Sequence, residues 1–90
     1  MLMYEFDLSD CVSPEDIHGV IAERLPLPEY YGGNLDALYD VLTDPHEPWK
    51  LVFTGTDTAR AIVGAKYMRQ FEKLCHKAAE DNDSLEVFFS

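Results

Sequence analysis

Three short runs with strand character lie along this chain, each separated from the next by a stretch of helical periodicity, and that alternation limits the fold more than any other feature. In the first run Leu2, Tyr4, Phe6 and Leu8 alternate with Met3, Glu5 and Asp7, the period of a half-covered strand of about six residues. The second, Trp49-Lys50-Leu51-Val52-Phe53, is nearly continuous in apolar residues, as expected for a central strand covered on both faces. The third is Leu85-Glu86-Val87-Phe88-Phe89. Strands joined through helices need crossover connections, which are right-handed and make neighbouring strands parallel. The expectation is an α/β fold with a small three-stranded parallel sheet packed with three to four helices. A chain of 90 residues leaves no room for a second core, so residues 1–90 are read as a single domain.

The helices announce themselves through their ends. Ser13-Pro14-Glu15-Asp16 offers a capping hydroxyl, a proline at the first helical position and acids in the first turn, ahead of Ile17, Val20, Ile21 and Leu25 at helical spacing. That helix should cover residues 14–25 and stop before Pro26 and Pro28, because a residue preceding proline is pushed out of the helical region. Asn34 reads as the cap of a second, short helix ending near Thr43, with Leu35, Leu38 and Leu42 as its inward stripe. Over residues 57–81 the positions Ile62, Val63, Tyr67, Phe71, Leu74, Cys75 and Ala78 keep helical spacing, with Gly64 as a break between a short and a long helix.

Acidic residues outnumber basic ones 17 to 7, a net charge of −10 that repels nucleic-acid phosphates and anionic membranes alike and complements a cationic partner. No stretch approaches the roughly 20 apolar residues of a membrane span, and Glu5 and Asp7 come too early for a secretion signal, so a cytoplasmic location is expected. Cys11 and Cys75 are far apart and lack ligand spacing. They read as reduced thiols, Cys75 buried on a helix and Cys11 in or near a loop.

The stretch richest in recognition chemistry runs from Tyr30 to Asp44. If Leu35, Leu38 and Leu42 face inward, Asp36 and Asp40 share the outward face, with Tyr39 beside them and Asp44 a turn further on. Like charges four apart cost a helix about 0.2–0.5 kcal/mol per pair, and Asp44 sits at the negative end of the helix dipole, so the pattern is poor helix design. Tyrosines mixed with fixed carboxylates are typical anchors of protein interfaces, and Gly32-Gly33 permits close approach of a partner. A plain solvated acidic face with packed tyrosines is the competing interpretation.

Leu27-Pro28-Glu29-Tyr30-Tyr31-Gly32, then Asn34-Leu35-Asp36-Ala37-Leu38, Asp40 and Leu42-Thr43 resembles the signature loop and second helix of barstar-type intracellular ribonuclease inhibitors. The resemblance implies an inhibitor whose loop and second helix enter the cleft of a basic, extracellular, guanyl-preferring ribonuclease in a 1:1 complex, with no cofactor or metal. By the same resemblance Asp40 takes the nuclease's phosphate position, Asp36 pairs with basic groups at the rim, and Tyr30 packs on the catalytic histidine. Gly32 and Asn34 shape the loop, and Tyr31, Tyr39 and Asp44 complete the contact set. Tyr39 stands where the family often has tryptophan, and Trp49 is the nearest aromatic after the second helix. In the last helix, Lys77 stands where an acidic contact is expected, with Glu80 a turn away.

Other readings use the same residues. A barstar-like module could bind a different basic protein without inhibiting a ribonuclease. An acid–base pair of Asp36 and Asp40 with His46 would suit a hydrolase, but two carboxylates on one exposed helical turn do not face each other across a cleft. The same trio as a metal site is equally disfavoured, and His18, His46 and His76 share no ligand spacing and read as surface or partly packed residues.

Overall fold

The computed structural model describes residues 1–29, 31–44 and 47–90. Its elements follow in the order β1 (Leu2–Asp7), α1 (Pro14–Arg24), α2 (Leu35–Thr43), β2 (Trp49–Thr54), α3 (Thr56–Val63), α4 (Ala65–Asp81) and β3 (Leu85–Phe89). Among the described residues the sheet has the order β1-β2-β3, with both pairings parallel, and Phe53 lies opposite Phe6 on one side and Phe89 on the other. This is the expected α/β architecture, with four helices.

One part of the expectation is overturned: β2 is central but covered on one face only. Trp49, Leu51 and Phe53 are buried, whereas Lys50, Val52 and Thr54 are only half-buried, and Met3 and Phe88 on the flanking strands are 56% and 47% exposed. The reason is topological. A chain that always steps the same way across a parallel sheet, through crossovers of one hand, lays every helix on the same side; covering both faces requires the strand order to reverse. The open face is held by mixed chemistry, with the Lys50 ammonium 5.1 Å from the centre of the Phe88 ring.

The core lies between this sheet and α1, α2 and α4. Phe53 stacks on Phe6 and Phe89 at 4.7 and 5.2 Å between ring centres and meets Phe71 of α4 edge-on at 5.2 Å. Burying such a ring contributes about 1.5–3 kcal/mol. Local signals end the helices where the sequence placed them. The Ser13 hydroxyl accepts from the Asp16 amide, and the Leu25 amide closes α1 by donating to the Ile21 carbonyl. Gly64 separates α3 from α4 with φ of 123°, a backbone conformation that side chains rarely tolerate. Within α3 and α4 the inward stripe differs from the sequence expectation. Ala59 and Met68 are fully buried while Ile62 is 52% exposed, because the break at Gly64 resets the helical phase. Among the described residues no helix is long and apolar enough to cross a membrane.

Candidate functional site

The acidic row stands on α2, and the way that helix is fixed decides where its carboxylates point. Gly33 has φ of 66°, and the next residue, Asn34, caps α2 by accepting from the Ala37 amide at 2.8 Å. Leu38 and Leu42 are buried and Leu35 half-buried, so Asp36 and Asp40 are turned outward and exposed. The far end of α2 is tied to α4. The Asn82 side-chain Nδ2 donates to the Leu42 carbonyl at 2.9 Å, and the Tyr39 hydroxyl donates to Asp81, which also receives Lys77 at 3.3 Å. That contact raises the Tyr39 phenol above its ordinary range, and the same two donors, Tyr39 first, lower the Asp81 carboxyl. Among the described residues, neither the Asp36 nor the Asp40 carboxylate accepts a hydrogen bond or forms an ion pair. Both are presented rather than consumed by the fold.

Hollows border α2 on either side. One of about 580 Å³ runs between α2 and α4, lined by Asp36, Tyr39 and Asp40 from one helix and Lys73, Leu74 and Lys77 from the other. A second, of about 340 Å³, lies under Pro28, Tyr31, Ala37, Asp40 and Asp44. Asp40 therefore stands on the ridge shared by the two. A third, of about 350 Å³, is lined in part by Glu15, His18, Asn34, Asp36 and Tyr67.

The loop ahead of α2 is anchored by a buried imidazole. His18 of α1 is 4% exposed, and its Nδ1 and Nε2 are hydrogen-bonded to the hydroxyls of Tyr31 and Tyr67 at 2.5 and 2.8 Å. Burial pushes the His18 pKa down, partly offset by Glu15, so the ring is neutral, with one donor and one acceptor. Burial also pushes both phenols up to about 12, so each keeps its proton. One tyrosine then donates to the bare ring nitrogen and the other accepts from the ring N–H. Three segments distant in sequence, α1, the loop and α4, meet at this one ring.

Compared with known protein families, residues 1–90 match the family model described as Barstar (barnase inhibitor) along the whole chain. The chain belongs to the barstar family. Membership places it among ribonuclease-inhibitor-like modules, whose family is defined by inhibition and not by catalysis.

Within that barstar fold the structure brings Asp36, Tyr39 and Asp40 to one groove, with Asp44 exposed as the cap at the end of α2. Gly32 and Asn34 are exposed beside them, and a Cβ on Gly32 would come within 3.1 Å of the Asn34 side-chain nitrogen. Tyr31 is half-buried with its hydroxyl spent on His18, which leaves its ring edge at the second hollow. Tyr30 and His46 lie outside the described residues. Trp49 is 5% exposed and packs edge-on against Tyr4 at 6.0 Å, so it is a core ring of β2 and no substitute for a contact aromatic after α2. His18 is corrected from surface or partly packed to buried. The signal was present: it precedes Ile21 by three and Leu25 by seven, the spacing of the inward stripe of α1. Tyr67 and Lys73 were also not singled out as parts of a site. Their place depends on the packing of α4 against α1 and α2, which sequence spacing does not give. Among the described residues no group of three potential metal ligands comes together.

Proposed function

We propose that this protein is an intracellular, stoichiometric inhibitor of a basic, secreted, guanyl-preferring ribonuclease, acting as one domain in a 1:1 complex with α2 and the preceding loop in the nuclease cleft. The observation that carries this reading is the pair of unpartnered carboxylates, Asp36 and Asp40, held outward on a helix whose two ends are fastened. A ribonuclease site is already organised to receive phosphate, so carboxylates held outward on a fixed helix meet donors that need no reorganisation. The net charge of −10 adds long-range attraction for a cationic partner and speeds association at low salt.

The test is titration against a panel of secreted microbial guanyl-specific ribonucleases, following RNA cleavage at low and physiological salt. Activity should fall in proportion to inhibitor added until one equivalent is reached. Asp40→Ala should weaken inhibition by about 2 kcal/mol or more, a scale for which the barnase–barstar pair is itself a reference case, and Asp36→Ala by less. Full activity of every nuclease at several equivalents of the protein would reject the proposal in favour of a module for another basic partner.

A further inference from the structure

Cations are few in this chain, and their placement is uneven. Of the seven Lys and Arg residues, Lys66, Arg69, Lys73 and Lys77 lie on α4 at intervals of three, four and four. Those intervals put them on one face, opposite the buried Met68, Phe71, Cys75 and Ala78. All four are exposed, and among the described residues Lys66, Arg69 and Lys73 have no ion-pair partner. By contrast Arg60 of α3 is fully engaged, at 2.6 Å from Asp57 and 2.9 Å from Glu72. The lower end of this cationic stripe, Lys73 and Lys77, forms one wall of the groove whose other wall carries Asp36 and Asp40.

A groove with carboxylates on one side and ammonium groups on the other does not complement a uniformly basic surface. Lys77 is steadied by Asp81, which in turn holds Tyr39, so its position is tied to the α2–α4 seam. Lys73, a turn earlier, is exposed and forms no ion pair among the described residues. Juxtaposed like charges at an interface cost several kcal/mol, and exclusion of wrong partners by such repulsion is a general source of specificity.

Resting on the inhibitor reading above, we infer that Lys73 and Lys77 select the partner: the cognate nuclease carries carboxylates on the rim of its basic cleft, facing α4, and nucleases with a cationic rim at that place are rejected. The contact surface is thus two-signed, with acids on α2 for the cleft and lysines on α4 for its border. Lys66 and Arg69 extend the same field along the helix beyond the groove.

The experiment compares the parent, Lys73→Glu/Lys77→Glu and Asp40→Ala against the same panel of ribonucleases, measuring inhibition constants. Circular dichroism of each variant verifies that the exposed substitutions leave the fold intact. For a nuclease that the parent inhibits, reversing the lysines should weaken inhibition at least tenfold. For nucleases that the parent does not inhibit, the same reversal should create or improve inhibition, because the repulsive wall has become attractive. Either result supports the inference. A nuclease inhibited by the parent and inhibited equally or better by the reversed variant would overturn it while leaving the inhibitor reading in place, provided Asp40→Ala still weakens binding. No inhibition by the parent anywhere on the panel would overturn both.

Discussion

Tyr67→Phe removes one oxygen from the molecule and little else, yet it should be among the more damaging conservative changes available. The ring still packs, but His18 Nε2, at 2.8 Å from the lost hydroxyl, is left without its partner in a side chain that is 4% exposed. Orphaning a buried polar group costs about 1–3 kcal/mol. The hollow of about 350 Å³ lined by His18 and Tyr67 gives water a route to the vacated position, which sets the expectation at about 1–2 kcal/mol. For a domain of this size that corresponds to a melting temperature lower by roughly 5–15 °C. Tyr31→Phe should show a similar loss through Nδ1, and the double variant should lose less than the sum, since both act on one imidazole. The parent should also show the signature of a histidine held neutral by burial. With its pKa depressed in the folded state from an ordinary value of 6.5, His18 binds a proton more readily when unfolded. Its contribution is therefore complete above the unfolded pKa and is lost progressively as pH falls below it toward the folded value. Thermal unfolding followed by circular dichroism, repeated between about pH 7 and pH 5, measures both effects. A Tyr67→Phe protein melting within about 2 °C of the parent, whose stability is itself flat over that pH range, would refute the argument that His18 is a satisfied, load-sharing buried base.

Two further outcomes follow from single contacts. Asn34→Ala removes the side-chain acceptor of the Ala37 amide at 2.8 Å and should cost about 1 kcal/mol by urea denaturation, with Asn34→Ser or Asn34→Asp recovering most of it. Cys75 is fully buried and its thiol pushed well above the ordinary range by burial, with Glu72 adding to the shift, so it should resist a thiol-specific reagent in the native protein and react on unfolding; rapid labelling of Cys75 at neutral pH would contradict that environment.

Much of this molecule could be read from local chemistry. Ser13 and Pro14 start α1, Asn34 starts α2 and Gly64 divides α3 from α4, because caps, prolines and positive φ act within a few residues of chain. The outward placement of Asp36 and Asp40 followed equally from the buried Leu38 and Leu42, each about half a turn away on the same helix. Those are properties of one segment at a time.

What the sequence alone did not determine depends on segments brought together across the fold. Lys50 and Val52 on an open sheet face reflect the direction in which the chain steps from strand to strand, a global choice that the apolar run at β2 does not record. The ring of His18 became a three-way tie only when Tyr31 and Tyr67, 13 and 49 residues away, closed on it. Likewise Lys73 and Lys77 are unremarkable surface lysines on α4 until packing sets them across a groove from Asp36 and Asp40. Helical and strand signals are encoded in short-range sterics and hydrogen bonds, whereas electrostatic pattern and buried polar pairing depend on distances through space, and those are set by tertiary packing.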